Sequence, residues 1–150
     1  MLLEGKIKLK APIQKLWDML LEPDTILSCM PGAEKIERKD ENTYDCIIKQ
    51  KVGPISVKIR FKIVLTKKDY PNHMEFEGEG EDVTKLGHFA QKGLVDLNEF
   101  PGGEVEVSYK TEVNIVGKLA MFGDRIMRAK AKQVEQEFTK NLQIKLESVV

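Results

Sequence analysis

The chain has 150 residues with 24 basic and 24 acidic side chains, so it carries no formal net charge at pH 7. That size suits one domain over 1–150 with a real core, and the charge balance gives no electrostatic bias toward nucleic acid. Met1–Lys6 holds no apolar run of signal-peptide length and no ~20-residue apolar segment occurs, so a soluble, cytoplasmic protein is expected.

Leu3, Gly5, Ile7 and Leu9 alternate with polar or charged neighbours, which predicts a half-buried first strand. Ala11-Pro12 ends it, and Pro12 suits a helix start. Ile13, Leu16, Trp17 and Leu20 then recur at helical spacing. Pro23 stops that helix, and Asp24-Thr25 opens a second short one through Ile26, Leu27 and Met30. Pro31-Gly32 is a turn.

From there the period is two. Ile36 lies in a short strand, and Tyr44, Cys46, Ile48, Gln50 and Val52 share a face of the next. After Gly53-Pro54, the run Ile55, Val57, Ile59, Phe61, Ile63, Leu65 is the clearest strand signal. Beyond Tyr70-Pro71-Asn72, Met74, Phe76, Gly78 and Gly80 alternate with Glu75, Glu77, Glu79 and Glu81, which sends the acids to solvent. A strand over Phe89–Phe100 follows with Val95 and Leu97 inward. Pro101-Gly102-Gly103 closes a hairpin, and Val105 to Ile115 form the last strand before Gly117. Tight turns between successive strands predict an antiparallel meander.

The last quarter is helical. No Gly or Pro follows Gly123, and Leu119, Phe122, Ile126, Ala129, Val134, Phe138, Leu142, Leu146 and Val149 read as one apolar stripe. About thirty residues at ~1.5 Å each predict a helix of ~45 Å. One long amphipathic helix on an antiparallel sheet can grip something between them, which points to a binder of an apolar molecule rather than a catalyst.

The charges are unevenly spread. Between Glu75 and Glu106 nine acids face two bases, and from Lys118 to Val150 seven bases face four acids. Two solvated faces that attract each other account for this; a basic docking surface at the helix start is the sharper alternative. Cys29 and Cys46 sit in apolar surroundings without CxxC spacing and read as reduced core residues. With His73 and His88 they are too scattered for a metal site. No nucleophile motif or phosphate-cradling Gly-rich loop is present.

Several motifs recur in a known order. Gly5 to Ala11-Pro12, Trp17, Glu22-Pro23-Asp24, Cys29-Met30-Pro31-Gly32-Ala33-Glu34, Lys51-Val52-Gly53-Pro54-Ile55 and Val116-Gly117-Lys118-Leu119-Ala120 with Phe122-Gly123 span nearly the whole chain. On these the chain resembles the CoxG-like family, named for the G component of carbon monoxide dehydrogenase, within the START or Bet v 1-like (SRPBCC) group. The resemblance implies an α+β helix-grip fold: a seven-stranded antiparallel sheet wrapped round a long C-terminal helix, with two short helices between strands 1 and 2. It also implies a cavity for a lipid, quinone or similar apolar ligand, no tightly bound cofactor, and an accessory role in recruiting a molybdenum-type CO dehydrogenase to the membrane. Some relatives continue into a membrane-spanning anchor whereas this sequence ends at Val150, so any membrane contact is expected to be peripheral, at the inner membrane face.

In such a fold the ligand-lining candidates are Ile59, Phe61, Ile63, Met74, Phe76, Phe89, Val95, Tyr109, Val113, Phe122, Ile126 and Phe138, with Gly78 and Gly80 leaving room or letting the sheet bend. Tyr44, Gln50, Gln91, Tyr109 and Thr111 are the polar groups on these faces, and Tyr109 is the favoured ligand contact. Met121 and Phe122 beside Arg125 and Arg128 form a candidate entrance that touches an anionic bilayer. A homodimer through the free edge of the first strand stays open. Two alternatives remain: a cyclase- or dehydratase-type enzyme using Tyr44, Tyr109 or Asp96, and an adaptor with a filled core.

Overall fold

The structure, a computed structural model, describes residues 1–85 and 87–148. Val149, the last position of the expected stripe, lies outside the described residues. The elements are β1 (Leu2–Lys10), α1 (Ile13–Leu21), α2 (Pro23–Cys29), β2 (Ala33–Arg38), β3 (Thr43–Val52), β4 (Ile55–Asp69), β5 (His73–Asp82), β6 (Gly87–Phe100), β7 (Glu104–Gly117), a 3-10 turn (Lys118–Phe122) and α3 (Gly123–Ser148). Pro23 does more than stop α1: it is the first residue of α2, where its fixed φ suits a helix start and its missing N–H costs nothing.

The strands form one antiparallel sheet in the order β1-β7-β6-β5-β4-β3-β2. Its register puts Val57, Ile59, Phe61, Ile63 and Leu65 of β4 on one face with Phe76, Gly78 and Gly80 of β5. Met74, two residues before Phe76, faces inward with it, and a bulge between Leu65 and Lys67 sets Lys68 opposite Met74. The acids of β5 leave by the opposite face. Their ion-pair partners lie within the sheet and its turns, as in His73–Glu75 (2.7 Å), Lys92–Glu77 (3.7 Å) and Lys85–Glu81 (3.4 Å). The expected attraction between the acidic strand and the basic helix is therefore not what organises these charges: the sheet stands between them.

The core is divided. A large cluster joins Leu9, Ile13, Leu16, Trp17, Leu97, Val105, Leu142 and Leu146, with Cys29 and Cys46 inside it. A smaller one, at the other end of the sheet, joins Val52, Val57 and Leu119, with Ile59, Ile115, Phe122 and Met127 against it. The carboxyl half of α3 is held firmly. Asn141 Nδ2 donates to the Cys29 carbonyl (3.0 Å), Lys145 Nζ to Ser28 Oγ (3.0 Å), and Gln143 Oε1 accepts the Lys10 N–H (3.0 Å).

The amino half of α3 is lightly packed, and here the sequence reading needs correction. The chain forms a 3-10 turn first, and Gly123, at φ +78°, breaks it from the helix proper. The α-helix is 26 residues long, ~39 Å at ~1.5 Å per residue. Its inward stripe, counted back from Leu146 and Leu142, runs through Phe138, Val134, Ala131 and Met127. Ile126, expected on the stripe, is 45% exposed, and Ala129 is exposed as well.

The free edge of β1 is occupied at two points. Its outward carbonyl at Leu2 accepts a hydrogen bond from Arg128, and its outward N–H at Lys10 donates to Gln143. Both side chains come from α3, which thus blunts an edge that a second copy would need.

Candidate functional site

The sheet's concave face and α3 enclose the candidate site. Across the mid-sheet the inward residues form rows: Phe61, Gly80, Phe89 and Ile115; Ile63, Gly78, Gln91 and Val113; Phe76, Gly93, Thr111 and Leu3; Val95, Tyr109 and Gly5. All nine strand candidates therefore face the helix together. Met74 is sealed in the large core cluster, whereas Ile59, Phe61, Ile63, Phe76, Phe89, Val95, Tyr109 and Val113 are only half-buried. These inward apolar side chains still touch solvent, so they are not sealed beneath α3. From the helix side Phe138 packs toward the large cluster and Phe122 toward the small one. Ile126 points away.

The glycines do not leave the room expected of them. A Cβ on Gly78 would lie 2.7 Å from Ile63 Cδ1, and one on Gly80 would lie 2.4 Å from Phe61 Cβ. Larger neighbours already lie over both positions. Phe61 and Phe89 meet across Gly80 edge-on, ring centroids 5.7 Å apart. The glycines let big side chains lie flat on the sheet.

Two depressions bear on access. A recess of about 180 Å³ opens between β7, the 3-10 turn and the start of α3, lined by Val113, Ile115, Ala120 and Met127 among others. A broader groove of about 520 Å³ lies on the opposite face of the sheet, with Lys62, Glu77, Glu79, Lys92 and Glu112 along it.

Most polar groups on the inner faces are already engaged. Tyr44 donates to the Leu21 carbonyl (2.7 Å) and Gln50 Nε2 to the Pro31 carbonyl (2.6 Å), fixing α1 and the turn after α2 to the sheet. Thr111 Oγ1 donates to Gln91 Oε1 (3.4 Å) in mid-sheet. The Tyr109 hydroxyl donates to Glu135 Oε1 (2.7 Å). Burial, and then the Glu135 carboxylate, hold that phenol well above its usual range. Glu135 was missed by sequence reading, which counted it among the solvated charges of the helix. A signal existed: it lies four residues after Ala131 and three before Phe138, an acid beside the inward stripe.

The remaining reactive groups do not converge. Burial pushes the Cys46 thiol up to about 11, which leaves it a protonated core side chain. His73, the first residue of β5, is a clamp. Its Nε2 meets Glu75 (2.7 Å) and its Nδ1 meets Asp96 (2.5 Å), and these two hydrogen bonds raise its pKa. Asp96, one of the candidate enzymatic acids, is spent on that clamp. Buried Asp82 holds the β5–β6 turn, accepting from Lys58 N (3.1 Å), Thr84 N (2.9 Å) and the Thr84 hydroxyl. Among the described residues no group of three or more His, Cys, Asp or Glu is placed to hold a metal.

A curled seven-stranded antiparallel sheet gripping a long C-terminal helix, with two short helices after the first strand, defines a START-like helix-grip domain. A START superfamily protein from Mycobacterium smegmatis has the same fold, with a TM-score of 0.74 at 8% identity over 99% of both chains. A conserved protein from Geobacillus kaustophilus superposes with a TM-score of 0.89 at 23% identity, over 99% of this chain and 96% of that one. Sequence comparison with curated proteins finds no match. The profile of the CoxG family, the G component of carbon monoxide dehydrogenase, matches residues 5–147, and the chain belongs to that family.

Proposed function

We propose that this protein holds an apolar small molecule, lipid- or quinone-like, between the mid-sheet and the amino half of α3, without catalysing its conversion. The observation that carries this reading is the half-buried state of the inward apolar side chains from Ile59 to Val113, flanked by the large and the small packed cluster. Apolar burial at ~25 cal/mol per Å² would drive binding, with a few polar groups setting orientation. The family is named for an accessory component of an enzyme, and the role that follows is accessory: serving a CO-dehydrogenase-type redox enzyme and its recruitment to the membrane from the cytoplasmic side.

Native mass spectrometry of the purified protein, with organic extraction of whatever is released, tests this. An adduct of lipid or isoprenoid-quinone mass is the expected result. A clean apo mass that persists after incubation with quinones and lipids would instead favour an adaptor working through its outer groove.

The membrane contact belongs to one pole of the molecule. The β3–β4 turn, the β5–β6 turn and the end of β7 lie at the same end of the sheet, since Val52 pairs with Ile55, Ile59 with Asp82 and Gly87 with Gly117. Ile55, Val83, Val116, Met121 and Ile126 are exposed there, Met121 by 84%. The same stretches of chain carry Lys51, Lys85, Lys118, Arg125 and Arg128, against Glu81 and Asp124. Contact would be by this lip; no described helix is long and apolar enough to cross a membrane. Replacing both exposed residues, Met121→Asp with Ile126→Asp, is expected to weaken sedimentation with phosphatidylglycerol-containing vesicles about tenfold or more. Equal binding by parent and variant, or none by the parent, removes the membrane contact.

A further inference from the structure

We infer that the interior discriminates by head group: it accepts an apolar molecule with an uncharged hydrogen-bonding head and rejects one with an anionic head. This deepens the ligand reading above and rests on it. The argument begins with Gly5. A Cβ there would come 2.0 Å from Glu135 Oε1 and 2.7 Å from the Tyr109 hydroxyl, so β1 leaves out a side chain where the acid and the phenol meet. Gly5 is the cross-strand partner of Tyr109. Three elements, β1, β7 and α3, thus combine to bring a carboxylate into the sheet–helix interior.

That carboxylate is nearly enclosed, its side chain 9% exposed. Its ion-pair partner is Lys132 at 3.0 Å, itself 64% exposed and open to solvent screening. Tyr109 donates its proton to Glu135 and keeps lone pairs on its oxygen. The pair therefore offers acceptors and negative charge to the interior. An anionic head there meets repulsion strengthened by low local dielectric; a hydroxyl finds an acceptor. Two cross-strand rows away, Gln91 uses its carbonyl oxygen to accept from Thr111, and among the described residues its NH₂ makes no hydrogen bond. It is a donor for a ligand oxygen. Acceptors at one place and a donor at another, on an otherwise apolar face, fit an uncharged head bearing hydroxyl or carbonyl oxygens.

The test displaces a bound neutral fluorophore, N-phenyl-1-naphthylamine, with 1-dodecanol and with dodecanoate at pH 7.5. The two competitors share a chain and differ in head group. The wild type is expected to prefer the alcohol, and Glu135→Gln, similar in shape but uncharged, to shrink that preference about tenfold. Tyr109→Phe should weaken the alcohol more than the acid. A purely structural Tyr109–Glu135 contact would weaken both competitors alike and leave their ratio unchanged, and that outcome overturns the inference. A wild-type preference for dodecanoate overturns it as well. If fluorophore, alcohol and acid all fail to bind the wild type, the ligand reading itself falls and takes this inference with it.

Discussion

Leu142→Ala is expected to destabilise the protein by about 3 kcal/mol, near the middle of the range for emptying a sealed aliphatic site. Leu142 has no exposed surface and belongs to the cluster that also contains Leu9, Leu16, Trp17, Leu97 and Val105. That cluster draws on α1, α2, β1, β6 and β7 as well as α3, so the space left by three lost carbons cannot readily collapse. In a domain this size a loss of that order lowers the melting temperature by about 6–12 °C. Ile144, on the same stretch of helix and 56% exposed, is the control: Ile144→Ala should stay within about 0.5 kcal/mol of wild type. Equal midpoints in chemical denaturation for the two variants would contradict the packing described. The effect matters for function because this half of α3 holds the helix on the sheet. The half nearer the proposed entrance rests on the small cluster, with Met127 against it, and on the polar contacts of Arg128 to Leu2 and Glu135 to Tyr109.

Gly32→Ala is expected to be at least as damaging, about 3 kcal/mol or more. Gly32 sits at φ +80°, and an alanine Cβ there would be 2.0 Å from the Lys49 carbonyl oxygen. Left-handed backbone costs an L-residue about 1–2 kcal/mol by itself. The clash is with main chain, so it can be relieved only by moving β3 away. That movement breaks the hydrogen bond from Lys49 N to the Gly32 carbonyl, 2.8 Å long. Gly102 separates the two terms: it lies at φ +87° with nothing near its added Cβ, so Gly102→Ala should cost only the conformational part, about 1–2 kcal/mol. Indistinguishable stabilities for the two alanine variants would show the close approach to β3 to be immaterial. The Pro31-Gly32-Ala33-Glu34 motif thus has a mechanical reason: the chain leaves α2, turns where only glycine fits, and docks on β3.

Much of this protein is legible without tertiary information because the relevant physics is local. Period-two runs such as Ile55 to Leu65 can be satisfied only by a strand with one buried face, and Gly53-Pro54 and Pro101-Gly102-Gly103 reverse the chain wherever they stand. Those signals yield seven strands, two short helices and a long one. The motif order names the family, and alternation alone places nine strand residues on one face. The phase of α3 is different. Gly123 restarts the helix, so its orientation is set by where Leu142 and Leu146 are buried, twenty residues onward, and Ile126 turns out while Met127 turns in. The fate of charges is likewise a long-range matter. Glu135 is one of four acids on a basic helix until Gly5, at the far end of the chain, makes space for it beside Tyr109. Glu75 reads like its three alternating neighbours until β6 brings Asp96 to His73. Sequence determined the elements and the side of each strand, since backbone period and turn chemistry act within a few residues. Only the tertiary structure decided which polar groups look into the interior, since that depends on side chains left out elsewhere.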